Sequence, residues 1–340
     1  MDQFSAHLDR GWDLAQKGDG AGALACARRA LELDPKSPEV HNLLGFAAAL
    51  EGDSDVALDH YKQAIALDET YLEAMLNAAE VLVAPLGEWD EAVELCNGAL
   101  DYAETDEEIA DCVLLKIDAL MGKGDTDGAK KTLAMMPAGP FESANYEFLI
   151  GRAHYELGDA EKAAPLIESA VAKEPDHADA RYYLGLVRDE KGDSKGATEA
   201  FLHARALDLL RPAPPWSPSP EAFATLVRQV ATKLDALLAR YVREAEVFCF
   251  DVVGAELVVD GVDPRALVLV DAPGSPGGHT NGAAGSEQPS KVRIFVYQRS
   301  VERAAGSLDV VEEELTRALE HEVATLFVDA GGAKAKEELN

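Results

Sequence analysis

The sequence has few cysteines, and none of them is arranged for a metal cluster or a disulfide framework. Four occur in 340 residues, and no two have the C-x-x-C spacing. They are Cys26, Cys96, Cys112 and Cys249. Scattered thiols in a long chain predict a reducing compartment, with neither disulfide bridges nor a zinc-cysteine centre.

Basic residues are also scarce, with 31 Lys and Arg against 62 Asp and Glu, for a formal net charge of −31. A surface this acidic repels nucleic acid and anionic lipid, so we expect neither as a partner, whereas basic or polar partners remain possible. Long apolar runs are missing too: no stretch approaches the ~20 apolar residues that span a bilayer. The first residues lack a basic segment followed by an apolar run. We therefore expect a soluble, cytoplasmic protein.

A short motif is present six times. A glycine followed by an acidic residue recurs at spacings of 34, 35, 37, 34 and 34 residues, and an alanine lies five residues after each glycine. Glycine can take the left-handed conformation that ends one helix, and an aspartate can cap the next. One helix pair cannot bury its apolar side alone, so the pairs stack. The glycines are Gly18, Gly52, Gly87, Gly124, Gly158 and Gly192.

This pattern resembles the tetratricopeptide repeat, in six units over residues 4–211. The resemblance implies an α-solenoid: a right-handed superhelix whose concave face, built from the first helix of each pair, binds an extended peptide or a partner helix. The fourth unit, about 107–143, departs most from the pattern, and we expect a kink or loosened stacking there. Candidate partner-binding residues, which could equally be packing or solvated positions, are Asn42, Phe46, Asn77, Phe148, Arg152, Tyr155, Tyr182 and Tyr183.

Some repeats of this family hold acidic C-terminal tails with paired lysines and asparagines on the concave face. At the matching positions this chain has Asp9, Asn42, Glu73, Asn77 and Glu80. Because carboxylates repel an acidic tail, we do not expect such a ligand.

A proline-rich segment, residues 212–220, predicts a stiff linker to a second domain over 221–329. One long helix is predicted from Glu221 to about Ala245, strands at 246–253, 266–271 and 291–299, and a closing helix over 308–328. We expect residues 273–290 to form a disordered loop and 330–340 a flexible tail. The predicted fold class is therefore mainly α, with a solenoid followed by a small α+β domain.

The closing helix carries an incomplete catalytic motif. With Leu315 as the centre of the apolar stripe, Glu322 falls about 20° from that centre, while His321 and Thr325 lie together on one edge. In H-E-x-x-H, two histidines one turn apart bind zinc and the glutamate polarises the attacking water. Here the second histidine is replaced by Thr325.

Three segments in order, 263–271, 293–303 and 312–322, resemble the small bacterial zincin-like metallopeptidase domain. The resemblance implies that His321 is a metal ligand, that Glu322 is catalytic and that Thr325 stands at the lost second-ligand position. A hydroxyl is a poor zinc ligand beside imidazole, so we expect no cofactor and only relics of the site. In the alternative, zinc is held by an altered ligand set.

Two functions follow from these patterns. The favoured one is a non-catalytic scaffold that binds a protein or peptide partner in the repeat groove and carries an inactive zincin-like domain. The alternative is a zinc metallopeptidase whose repeats recruit substrate, and the question of enzyme activity stays open. A third interpretation of Glu322 is an ion pair with a basic residue such as Arg293, Arg299 or Arg303.

Overall fold

The computed structural model describes residues 2–234, 236–272 and 291–326. The predicted loop 273–290 and the predicted tail 330–340 lie outside these residues. The chain divides into two compact units, residues 1–170 and residues 171–340, and each is described by itself. None of the helices in the described residues is long and apolar enough to cross a bilayer.

The first unit consists of antiparallel helix pairs joined by tight turns. Its helices are α1 (Gln3–Ala15), α2 (Gly20–Leu33), α3 (Pro38–Leu50), α4 (Ser54–Leu67), α5 (Leu72–Val83), α6 (Trp89–Leu100), α7 (Asp106–Gly122), α8 (Thr126–Leu133), α9 (Ala144–Glu156) and α10 (Ala160–Lys173).

The recurring glycine and acidic residue form these turns, as the sequence predicts. All six glycines have positive φ, between 68° and 82°, which is the left-handed conformation that ends a helix. Several of the acidic residues then cap the next helix. The Asp19 carboxylate accepts a hydrogen bond from the Gly22 amide at 2.8 Å, and the Asp125 carboxylate accepts one from the Gly128 amide at 2.9 Å. The alanine five residues after each glycine is buried, so the two helices of a pair approach closely.

The fourth helix pair is irregular. Its second helix, α8, has only eight residues, whereas α2 and α4 have 14 each. Residues 134–143 are not helical. The departure of this repeat from the pattern is thus a truncated second helix before the segment that contains Pro137 and Pro140, and the expected kink or loosened stacking stays a prediction.

The second unit begins with one further helix pair and continues into a small sheet. Its elements are α11 (Ala178–Glu190), α12 (Ser194–Leu210), α13 (Pro220–Lys233), α14 (Ala236–Val242), β1 (Glu246–Phe250), α15 (Ala255–Val259), β2 (Val268–Asp271), β3 (Arg293–Tyr297), α16 (Gln298–Ala305) and α17 (Val311–Ala324).

The sheet has the strand order β1-β3-β2, with β1 parallel and β2 antiparallel to the central β3. Helices α13 and α17 pack on it, and together they bury an apolar core. Trp216, from the proline-rich segment, packs against the same core. Representative core side chains are Phe223, Val227, Ile294, Val296, Leu315 and Leu319, each fully buried.

Several predicted elements of this unit need correction. The single helix expected over 221–245 is two helices, because Leu234 has extended backbone (ψ 155°) and turns its side chain into the core. The third strand ends at Tyr297, and the next residue already begins α16, which the sequence did not indicate. The closing helix begins at Val311 instead of Leu308. The strand centres, the start of β1 at Glu246 and the end of β2 at Asp271 were predicted correctly, but the other strand ends were not.

Candidate functional site

A groove in the first unit is lined by the inner helices α5, α7 and α9. Its volume is about 350 Å³. Leucine side chains from these helices form the apolar part of the lining, and acidic side chains form most of the polar part. The lining residues are Glu73, Leu76, Asn77, Glu80, Asp111, Leu114, Leu115, Asp118, Leu149 and Arg152.

The polar lining of this groove carries four carboxylates and one cation. Arg152 pairs with Asp118 at 3.4 Å, and the Tyr146 hydroxyl donates to Asp111 at 3.0 Å. Burial raises the pKa of Asp111 and of Asp118 above its ordinary value, and the hydrogen bond from Tyr146 and the charge of Arg152 only partly offset this. The ionised carboxylates are therefore incompletely compensated within the chain.

An asparagine ladder joins α3 to α5 beside this groove. The Asn77 amide donates to the Asn42 carbonyl oxygen at 2.9 Å, and the Asn42 amide donates to the Tyr71 hydroxyl at 3.2 Å. Asn42 is fully buried, so its position is one of packing within the unit. Asn77 is half-buried and reaches the groove.

The other predicted partner-binding residues of the first unit differ in their surroundings. Arg152 lines the groove, and Phe148 on the same helix is buried with 5% exposure. Phe46 packs on Trp12 with ring centroids 5.5 Å apart, and Tyr155 is half-buried. As binding residues they stay predictions.

Tyr182 and Tyr183 lie on α11, in the second unit. The Tyr182 hydroxyl donates to Asp263 at 2.8 Å, and the Arg265 guanidinium lies 4.4 Å from the centroid of the Tyr182 ring. The two tyrosine rings meet edge to face at 5.8 Å. Tyr182 thus joins the last helix pair to the segment before β2, and its role in partner binding stays a prediction.

The incomplete catalytic motif lies at the end of α17. His321 is exposed, Glu322 is half-buried, and Thr325 is exposed as the residue that ends the helix. The buried acid of this helix is Glu314, at 9% exposure, which pairs with Arg317. Glu322 was predicted to lie near the centre of the buried stripe, but the apolar core on this helix consists of Val311, Leu315, Leu319 and Val323.

The three arginines named as possible partners of Glu322 each have other partners. Arg293 bonds the Asp271 carboxylate, Arg303 bonds those of Asp179 and Asp208, and Arg299 donates to backbone carbonyls.

His321, Glu322 and Glu314 line a cavity of about 660 Å³ together with strand β2 and the turn before it. The zincin-like resemblance implies a zinc ion here, but the described residues do not fit one. Within 2–234, 236–272 and 291–326, no three His, Cys, Asp or Glu side chains come together as a ligand set. Thr325 offers only a hydroxyl, so these residues supply His321 as the single strong ligand.

An arginine cluster in the second unit was missed by sequence reasoning. Five arginines, from α12 and the residue after it, from the segment before β2 and from α16, line a cavity of about 400 Å³. Arg299 and Arg303 are four residues apart and hence on one side of α16, which is the only sequence signal of the cluster. The five are Arg205, Arg211, Arg265, Arg299 and Arg303.

Family models of the tetratricopeptide repeat match three ranges of the chain: 8–71 and 148–209 with one model, and 48–113 with another. Residues 114–147, which include most of the irregular fourth pair, are matched by neither model, and neither extends beyond residue 209. None of the curated proteins matches this chain.

Two solved structures with TM-scores above 0.5, PilF and PilW, share the fold at low sequence identity, and a third match has a lower score. Pseudomonas aeruginosa PilF is 17% identical with a TM-score of 0.52, and the match covers 62% of this chain and 93% of that one. PilW, described as a type IV pilus biogenesis factor, is 16% identical with a TM-score of 0.52, covering 61% and 94%. The Thermus thermophilus protein TTC0263 is 20% identical with a TM-score of 0.45, covering 54% and 98%.

The family models, the periodic turns and the shared fold agree on the helix pairs, whereas no comparison supports the zincin-like resemblance of the C-terminal part. The chain is therefore a mainly helical protein that carries an array of tetratricopeptide repeats.

Proposed function

We propose that this protein is a non-catalytic scaffold that binds a basic segment of a protein partner in the acidic groove of its first unit. The observation that carries the proposal is the excess of four carboxylates over one arginine in the polar lining of that groove. Tetratricopeptide repeat proteins generally mediate protein-protein interaction or peptide binding.

The groove suits a basic amphipathic segment in two respects. Its leucines offer apolar contact to one side of such a segment. Its carboxylates can form ion pairs with a lysine or arginine of the partner. Because Asp111 and Asp118 are partly buried, keeping them ionised has a desolvation cost that their contacts within the chain only partly offset. A cation from the partner would offset more of that cost. An acidic tail would meet repulsion at the same positions.

The test is binding of a fluorescent peptide with alternating lysine and leucine turns, followed by polarisation. We expect the double variant Glu80→Gln/Asp111→Asn to bind about tenfold more weakly, equal to ~1.4 kcal/mol. Asparagine keeps an oxygen that can accept the Tyr146 hydroxyl, so the fold should hold. The matched control is Glu94→Gln, an exposed acid on the outer helix α6.

Salt provides an independent arm of the same test. Affinity should fall as ionic strength rises, because the contacts are ion pairs near the surface. Equal loss in Glu94→Gln, or binding that ignores both salt and the groove substitutions, would overturn the proposal.

A second candidate function concerns the cavity beside His321 and Glu322. In that proposal the C-terminal part is a zinc peptidase with an altered ligand set, and the repeats recruit its substrate. The proposal that we favour is the other one, in which this part is an inactive zincin-like module that contributes a surface and no chemistry.

Zinc content separates these two proposals. After expression with added zinc, we expect the purified wild type to hold almost none and the Thr325→His variant to hold about one zinc per chain, since two histidines one turn apart form a zinc pair. Stoichiometric zinc in the wild type would instead support the peptidase. Zinc in neither protein would remove the zincin resemblance altogether.

A further inference from the structure

The arginine cluster of the second unit holds more positive charge than the carboxylates around it. The Asp208 carboxylate accepts two hydrogen bonds from the Arg265 guanidinium, at 2.9 and 3.2 Å, and also forms an ion pair with Arg303. Asp179 accepts Arg265 at 2.8 Å and Arg303 at 2.7 Å. Two carboxylates thus hold two of the five arginines.

The remaining three arginines are only weakly compensated. Arg211 is 4.0 Å from Asp179, with a side chain that is 57% exposed. Arg205 donates to the Val253 carbonyl, and Arg299 donates to the carbonyls of Asp208 and Arg211. Neither Arg205 nor Arg299 pairs with a carboxylate of the described residues.

Glu302 also lines the cavity, but neutral groups hold it. Its carboxylate accepts the Ser217 hydroxyl at 2.6 Å and the Gln298 amide at 2.7 Å. Counting Asp179, Asp208 and Glu302 against the five arginines leaves a surplus of two positive charges.

The lining of the cavity also has an apolar part. Trp216, Pro212, Pro214 and Pro264 contribute to it, and Trp216 also packs against the core of the unit. A cavity of about 400 Å³ whose lining is partly charged and partly apolar has the size and polarity of a small-molecule site.

We propose that this cavity binds a small organic anion, with its phosphate or carboxylate group on Arg205, Arg211 and Arg299 and its apolar body against Trp216. Guanidinium groups present planar pairs of donors that match the oxygens of both anions. The proposal is independent of partner binding in the first unit, because all residues of the cavity lie between 205 and 306.

The experiment is calorimetric titration of the full chain at low ionic strength with phenyl phosphate, benzoate, inorganic phosphate and benzyl alcohol. Phenyl phosphate should bind more tightly than inorganic phosphate, since only it reaches the apolar part of the lining, and benzyl alcohol should not bind. Comparison with benzoate distinguishes phosphate from carboxylate as the preferred group.

The decisive variant is Arg211→Gln, because its long and exposed ion pair contributes little to folding. We expect about tenfold weaker binding of phenyl phosphate, the effect of removing one charged contact. Arg181→Gln is the matched control: Arg181 lies in the same unit, donates to the Pro175 carbonyl at 2.9 Å and is not part of the cavity lining. The Arg181→Gln protein should bind phenyl phosphate as tightly as the wild type does.

Trp216 gives a second readout of the same site. In a Trp12→Phe/Trp89→Phe background it is the only tryptophan left, and bound phenyl phosphate should change its fluorescence. No binding of any anion to the wild type, equal weakening in Arg181→Gln, or binding of benzyl alcohol as tight as that of phenyl phosphate would each overturn the proposal.

Discussion

At the scale of single residues, a histidine pair stands out in the first unit. The Nδ1 atoms of His41 and His60 are 3.4 Å apart, and Nε2 of His41 is 3.3 Å from the Pro35 carbonyl. Burial lowers the pKa of His60, and the charge of His41 lowers it further. Two protonated rings at this distance would repel each other, so the folded unit favours the neutral form of His60.

This pair makes stability dependent on pH. The unfolded chain takes up the His60 proton near pH ~6.5, whereas the folded chain takes it up only at lower pH. Between these values the unfolded state binds more protons, so the free energy of unfolding falls as the pH falls from about 7. We expect His60→Asn to lose less stability than the wild type between pH 7.5 and 5.5, measured by urea denaturation.

The control for this prediction is Gln63→Ala, an exposed and non-titrating position on the same helix. It should keep the pH dependence of the wild type. A His60→Asn protein with an unchanged dependence would show that the pair does not set it.

At the scale of elements, the small residues of the repeats differ in what they tolerate. A Cβ added at Gly45 in α3 would lie 2.6 Å from the Tyr61 ring and 3.0 Å from the Ala57 carbonyl. Tyr61 is only 2% exposed and cannot retreat into solvent. A Cβ at Gly98 in α6 would meet nothing within 4 Å.

Alanine at these two glycines should therefore have opposite effects. Gly45→Ala forces α3 and α4 apart, and we expect a loss of about 1–3 kcal/mol in the free energy of unfolding. Gly98→Ala should gain up to about 1 kcal/mol, because alanine favours the helix interior. Chemical denaturation of both variants checks this, and a Gly45→Ala protein as stable as the wild type would contradict the close packing.

The helix pairs could be predicted because their turns depend on local backbone chemistry. A left-handed glycine and a capping acid leave a periodic mark in the sequence. The break at Leu234 and the start of α16 at Gln298 depend instead on distant contacts: Gln298 bonds the Pro218 carbonyl, 80 residues away in sequence. No local pattern records such a contact.

The same distinction applies to the sites. Asn77 and Arg152 could be assigned to the groove because the repeat register places them there. Asp111 and Asp118 could not, because no single acid stands out among 62. The arginine cluster was hidden for another reason: its ion pair between Asp179 and Arg303 joins residues 124 positions apart.

At the scale of the whole molecule, the net charge of −31 governs the response to salt. Acidic groups outnumber basic ones by two to one, so repulsive pairs prevail over attractive ones. Raising monovalent salt from about 10 mM to about 150 mM shortens the Debye length from ~30 Å to ~8 Å and screens this repulsion.

We therefore expect the melting temperature to rise by a few degrees over that range, about 2–4 °C for each kcal/mol gained. Differential scanning calorimetry in NaCl and in KCl should give the same rise, since screening does not distinguish the cations. A fall would mean that the ion pairs of the second unit outweigh the repulsion elsewhere.

The recurrence of one turn has a consequence for how such a chain can change its length. Deleting residues 19–52 would join Gly18 to Asp53, and the junction would again read glycine followed by an acid. Every repeat boundary offers the same splice point, so duplication or loss of a unit needs no new turn to be invented. The length of the surface that the repeats form can thus change by one repeat at a time, while the domain that follows keeps its own fold.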